Sequence, residues 1–522
     1  MKLTCSKAIN SMMNDSILKT KLISKELIFS QPGAFKQEEL LFGLPEKIIQ
    51  FGTGVLLRGL ADYLVDKANK GGYFNGSVVV VKSTGNDTSE FNLQDNIYTV
   101  LEKGVKNGED FHKNNLITCI SRVLAAQTEW DAVLQCAADP AIQIVISNTT
   151  EAGLVYADEE LTNEAPVSFP AKLTAYLWKR YHAFNGDAAK GMVILPTELV
   201  SDNGKVLKEY VLHHAENNKL EAGFINWITD SNHFCNTLVD RIVPGKSEKD
   251  DLITWNDEIS FYDHLHFTAE PFLLWAIEGG EAVREKVTFA QADSRVVIAE
   301  DISGFKEQKL RILNGSNTLV VSPAYLAGLN TVYDTVKDEL FTRYTIQLIE
   351  QEVIPTIIEK CPTAPVFAKE VLDRFSNPFV QYKLLNIALQ HSSKMNSRVA
   401  ATIIRYYSAF NAYPPLTMAG LASFFLFYTP AGQEGDTFYG ERGDERYHYR
   451  DEHTAFLCNT LNGCTWDYKF EAEAPVFTVL NNQDIFTPEL VALPGLVTTV
   501  AGLCCRLKKE GIRATIENYI LS

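Results

Sequence analysis

No CxxC pair, no HExxH and no run of about 18 consecutive apolar residues occurs in the 522 residues. The first two gaps leave a zinc site without its usual sequence frame, and the third leaves no candidate membrane span. Two histidine pairs, His213-His214 and His264-x-His266, lack a convincing third and fourth ligand, so no metal is expected. Positive charge is also short. The chain carries 48 Lys and Arg against 65 Asp and Glu, a net −17, which argues against a nucleic-acid or anionic-membrane partner. An anionic substrate therefore needs a local basic pocket set against that field. The nine cysteines, at 5, 119, 136, 235, 361, 458, 464, 504 and 505, form no even disulfide framework. They read as reduced, mostly buried thiols of a cytosolic protein. Met1 to Lys21 has no continuous apolar stretch and reads as a poorly ordered arm, not a signal peptide.

What is present is ordinary for a globular enzyme: 46% hydrophobic and 22% charged residues, in a chain too long for one core. Lys47-Ile-Ile-Gln-Phe is a short strand, followed by Gly52-Thr53-Gly54 and an apolar-periodic segment from Val55 to Lys70. Ser77 to Lys82, Ile142 to Asn148 and Gly191 to Pro196 are further strand-like runs, and helical patterns precede the last two. Strands alternating with helices imply a parallel, doubly wound sheet. Beyond about residue 300 the strand signals thin, and long amphipathic patterns take over, as in Thr335 to Ile358, Ser397 to Phe410 and Val497 to Glu510. The expected fold is an α/β Rossmann-like N-terminal domain with a parallel-rich sheet (1–299), plus a mainly α-helical C-terminal domain (300–522). Gly432 to Arg450, polar and rich in Gly and Glu, is expected to be a surface loop.

Two local constellations suggest chemistry. Gly52-x-Gly54 sits between a strand and a helix, where backbone N–H groups and a helix N-terminus meet a pyrophosphate. Gly52, Thr53, Gly54, Val55 and Arg58 are the candidates there. The third glycine of the usual pattern is absent, since Leu57 occupies its place. The second strand ends in Lys82, not in an acid that would bind ribose hydroxyls, so a 2′-phosphate is tolerable at that point. The other constellation is Lys309-Leu-Arg-Ile-Leu-Asn314-Gly-Ser-Asn317. Wound as an α-helix, it places Asn314 ~140° and Asn317 ~80° around from Lys309. An amine that desolvation can deprotonate and two hydrogen-bonding carboxamides suit metal-free hydride transfer at a carbonyl. An amphipathic helix with a solvated lysine is the plain alternative.

The segment around Lys309 resembles the K-x-x-x-x-N-x-x-H element of the long-chain polyol dehydrogenases, the mannitol dehydrogenase superfamily. The likeness extends through Ile48 to Gly54, Ser147-Asn-Thr-Thr-Glu-Ala-Gly153, Glu198-Leu-x-x-x-Asn203-Gly204, Thr237 to Val243 and Arg374-Phe-x-Asn377-Pro378. It implies that Lys309 is the general acid/base and that Asn314, paired with Asn203, holds the substrate oxygen. The family histidine is Asn317 here. The resemblance also implies NAD as cofactor, with NADP open, and places Asn148 and Thr149 at the carboxyl edge of the sheet. Turn hydrogen bonds are the bland account of Asn148, Thr149 and Glu151.

The implied reaction is reversible NAD-dependent reduction of a keto-sugar acid, D-tagaturonate to D-altronate. The alternatives are fructuronate/mannonate, mannitol/fructose, or a nicotinamide-binding protein without turnover. Arg374 is a candidate for the substrate carboxylate because guanidinium matches carboxylate bidentately, with Lys394 a second basic candidate. Asp240 is a candidate for a substrate hydroxyl, whereas Arg241 reads as structural. A monomer or small homo-oligomer is expected.

Overall fold

The computed structural model describes residues 21–521 apart from 32, 36, 150–152, 247–250, 257–258 and 381. Nearly all of the expected N-terminal arm, Cys5 and Glu151 fall outside the described residues. The chain forms two compact units, Met1–Lys103 with Phe111–Ile302, and Gly104–Asp110 with Ser303–Ser522.

In the first unit six strands form one parallel sheet: β1 (Glu46–Phe51), β2 (Ser77–Lys82), β3 (Ile120–Ala125), β4 (Ile144–Ser147), β5 (Val193–Pro196) and β6 (His233–Phe234). Their spatial order is β3-β2-β1-β4-β5-β6. Successive side chains of a strand point to opposite faces. Ile48, Val78, Val80, Ile144 and Ile146 therefore enter one core, and Ile49, Phe51, Val79, Val81 and Val145 the other. Burial on both faces is why these strands read as continuous β-branched runs. The order reverses beside β1, which opens a crevice at its carboxyl end, the place where ligands of such sheets bind. A long hairpin, Tyr98–Lys106 with Glu109–Ile117, was not anticipated from sequence; it pairs with Phe267–Ala269.

The second unit is mainly helical. A long helix over 303–326 runs as Ser303–Gln308, a π-helical stretch Lys309–Gly315, and Ser316–Leu326. It packs against Pro415–Tyr428, a helix apolar nearly all round and correspondingly buried. Gly420 permits the approach: a Cβ there would stand 2.9 Å from the Leu319 carbonyl oxygen. The stretch expected as a surface loop is instead a three-stranded antiparallel sheet, Gly432–Glu434, Thr437–Arg442 and Glu445–His448. Its polar composition hides an inward row of Phe438, Tyr447 and Tyr449, with Tyr447 stacked on Phe427 at 4.8 Å. Turns at Gly435 and Gly443 supply the positive φ that the composition signalled.

Candidate active site

The glycine turn after β1 is built for close approach. Gly52 has φ +129°, and a Cβ on it would lie 3.0 Å from Leu57 Cδ1 and 3.1 Å from the Asn148 carbonyl oxygen. Gly54 is exposed, with open space where its Cβ would be, and it caps the helix starting at Val55. That combination leaves room for a pyrophosphate against the N-terminal amides. Arg58 turns back into the protein: Nε donates to the Thr53 carbonyl at 3.1 Å and Nη1 to the Leu265 carbonyl at 2.9 Å. It also lies over the rings of Phe91, Tyr98 and Phe267. Burial lowers its pKa, and its bond to the Thr53 carbonyl holds the turn. Beneath it, Gln50 donates to the Gly52 carbonyl and to Asp62, whose carboxyl burial pushes up to about 7. Lys82 closes its own loop by donating to the Asp87 carbonyl at 2.7 Å.

The ends of β4 and β5 are tied by Glu198, the first residue of the Glu198-Leu-x-x-x-Asn203-Gly204 run and not one of the candidates named from it. Glu198 is buried and accepts from Thr149 N at 2.8 Å, Thr149 Oγ1 at 3.2 Å and Ser147 Oγ at 3.2 Å. Asn148 donates through Nδ2 to Thr197, carbonyl and hydroxyl, both at 3.0 Å. Asn203 needs a correction. It is 1% exposed, and Nδ2 lies 3.0 Å from the Glu198 carbonyl and 3.1 Å from that of Pro196. Its Oδ1 accepts from Thr237 N at 2.8 Å and Gly204 N at 2.9 Å. Both ends of the carboxamide are committed to main chain, so Asn203 locks its loop and has no donor left for a substrate oxygen.

The Lys309 segment departs from α-helical geometry in an informative way. Lys309–Gly315 closes i to i+5 hydrogen bonds, which stack residues five apart as an α-helix stacks residues four apart. Asn314 is therefore brought over Lys309 instead of lying far around the helix, and Asn317 follows three residues on, next to Asn314. Exposure marks the same face. From Gln308 to Tyr325 every residue is buried except Lys309, Leu310, Asn314 and Asn317, which keep partial access to solvent. Neither Asn314 nor Asn317 has a side-chain hydrogen-bond partner among the described residues, in contrast to Asn203. Gly315 sits against a second π-helical stretch, Asn396–Ala400, where a Cβ would stand 3.1 Å from the Arg398 carbonyl oxygen.

The family model of the mannitol dehydrogenase Rossmann domain matches residues 46–290, and that of the mannitol dehydrogenase C-terminal domain matches 301–505. The altronate oxidoreductase of Halalkalibacterium halodurans is 38% identical over 412 residues, 78% of this chain and 80% of the relative. That of Pectobacterium carotovorum is 35% identical over 482 residues, 91% of this chain and 97% of the relative. The chain belongs to the mannitol dehydrogenase family. It is thereby an oxidoreductase acting on CH–OH groups. Two solved structures share the fold. A substrate-free D-sorbitol dehydrogenase has TM-score 0.71 at 21% identity, covering 91% of this chain and 96% of its own. The Pseudomonas fluorescens mannitol 2-dehydrogenase, in a ternary complex with NAD and D-mannitol, has TM-score 0.60 at 22% identity, covering 92% and 96%.

Within this family member the remaining candidates fall in different places. Arg241 is buried and pairs with Glu102 at 2.6 Å. Asp240, also buried, ends a strand that pairs with Leu274–Glu278. Arg374 lies partly buried in the last turn of Ala364–Phe375. Lys394 donates to the Ile387 carbonyl at 2.9 Å, and burial followed by nearby Arg398 lowers its pKa. His264 meets Asp251 at 2.8 Å, and His213 stacks on Tyr156 at 4.1 Å. The eight cysteines among the described residues are free thiols, six of them buried. No helix among them is long and apolar enough to cross a membrane.

Proposed function

We propose that this chain catalyses reversible NAD-dependent reduction of D-tagaturonate to D-altronate. The observation that carries the reading is the shared face of Lys309, Asn314 and Asn317, with both carboxamides uncommitted, in a chain 34–38% identical to altronate oxidoreductases. Bound NADH supplies the hydride that the ketone carbon receives. The turn at Gly52 to Val55 holds the pyrophosphate, with Asn148 and Thr149 at the neighbouring strand end. Lys309 carries a proton on Nζ and gives it to the oxygen as the carbonyl becomes an alkoxide; in the oxidising direction it takes that proton back. Asn314 donates from Nδ2 to the same oxygen. Asn317 does not titrate as the family histidine would, so it orients Lys309 or donates to the substrate, and the pH dependence of turnover rests on the lysine. Arg374, Lys394 and Asp240 are the proposed contacts to the rest of the sugar acid, and the cytoplasm is the proposed compartment.

NADH and NADPH oxidation with D-tagaturonate, D-fructuronate and D-fructose tests the reading. Preferred turnover of tagaturonate with NADH is expected. Preferred turnover of fructose or fructuronate would move the substrate to the corresponding polyol or mannonate pair and overturn this assignment.

A further inference from the structure

Among the described residues, Arg58, Arg180, Arg241, Arg295 and Arg311 are buried or half-buried, and each donates to carbonyls or carboxylates of the protein. Arg58 and Arg180 donate to main-chain carbonyls, at 2.9–3.1 Å and 2.7–3.2 Å respectively. Arg241 meets Glu102 and the Glu270 carbonyl, Arg295 meets Asp293, and Arg311 meets Glu307 and the Ser397 carbonyl. Arg398 is the exception. Its one hydrogen bond among the described residues runs from Nη1 to Thr318 Oγ1, at a long 3.4 Å. No carboxylate among them pairs with it. Lys394, one helical turn away, adds a like charge. Asp451, which acts on Lys394, is already held by Ser392 N and Oγ, Tyr428 Oη and His453 N.

Arg398 is half-buried, and no carboxylate of the described residues neutralises it in a chain that has acids to spare. The place where the positive charge is left unmatched also matters. Thr318, the hydroxyl Arg398 reaches, donates to the Asn314 carbonyl at 2.8 Å and follows Asn317 in sequence. Arg398 is thus anchored on the column of residues that presents Asn314. A guanidinium offers two parallel N–H donors matched to a carboxylate, and four of the five N–H groups here have no acceptor among the described residues.

We propose that Arg398, with Lys394 beside it, binds the carboxylate of the substrate and so makes the protein select a sugar acid over a neutral sugar. This rests on the reading above that the substrate is a keto-sugar acid.

Calorimetric titration of the NADH-loaded protein, in which no hydride can pass to the already reduced sugar, with D-altronate and with its neutral counterpart D-altritol tests it. The wild-type protein is expected to prefer altronate. Arg398→Gln is expected to lose about 30-fold or more of altronate affinity and none of the altritol affinity. Arg398→Lys, which keeps a point charge, should show a smaller loss confined to altronate, and serves if the Gln variant does not fold. Equal weakening of both ligands, no weakening of either, or a wild-type protein without preference would overturn the proposal. A wild-type protein whose altronate preference depends on Arg398 but which reduces no keto acid leaves the anchor standing and sinks the reaction instead.

Discussion

Lys309 and Asn314 are the first and sixth residues of one π-helical stretch, and its i to i+5 bonding brings them onto a common face. In an uninterrupted α-helix the same two residues would be ~140° apart. In the proposed mechanism the irregular turn makes an amine and a carboxamide available to one substrate oxygen. Asn314→Ala is expected to lower turnover by about 10²–10³, the usual effect of deleting one oxyanion donor. Steady-state kinetics with unchanged NADH affinity would show it; a loss below about fivefold would remove Asn314 from the mechanism.

The two glycines of the proposed coenzyme turn should respond differently. Gly52→Ala forces a side chain into φ +129° and against Leu57 and the Asn148 carbonyl, which should cost about 1–3 kcal/mol of stability. Gly54→Ala has ordinary backbone angles and open space, so stability should hold within about 0.5 kcal/mol. Its Cβ would enter the space proposed for the pyrophosphate, and NADH should bind roughly tenfold more weakly. Thermal melts and fluorescence titration of NADH separate the two.

The sheet was legible because its strands are buried on both faces, and no other structure explains Val78 to Val81 next to Gly52-x-Gly54 so simply. Lys309, Asn314 and Asn317 were legible as a motif, but their geometry was not, because nothing in the sequence signals that a helix will take i to i+5 bonds. Asn203 failed for a different reason. Sequence shows a carboxamide near the sheet edge, but only coordinates show both its ends spent on main chain. Arg398 drew no attention in the sequence because a half-buried arginine without a carboxylate partner is defined by its surroundings. The three-stranded sheet after Gly432 was missed because its inward aromatic row is diluted by glycines and charges.

Glu102 and Arg241 form an ion pair with side chains 4% and 0% exposed. Glu102→Ala would strand the guanidinium and should cost about 3–5 kcal/mol, measured by chemical denaturation. Replacing both by apolar residues of similar volume should recover most of that loss. A single mutant as stable as the wild type would show that the Gly59 and Glu270 carbonyls alone satisfy Arg241.

His391 is fully buried and is bonded through Nε2 to the Thr318 carbonyl at 3.0 Å, and burial pushes its pKa down to about 4. The unfolded chain then binds a proton below about pH 6.5 that the folded chain refuses until about pH 4. The contribution of this group is fully present above pH 6.5 and lost as pH falls to 4, on the order of 3 kcal/mol in all. His391→Phe should flatten that part of the stability profile. An unchanged slope between pH 6.5 and 4 would place the acid sensitivity elsewhere.

The central claim is that Lys309 moves the proton. The direct measurement is single-turnover oxidation of NADH by Lys309→Ala with D-tagaturonate, beside the wild-type enzyme and after NADH binding has been verified in both. The account predicts a rate lower by about 10²–10⁴, partly restored by added primary amine. A variant that binds NADH and reduces tagaturonate at the wild-type rate would contradict it.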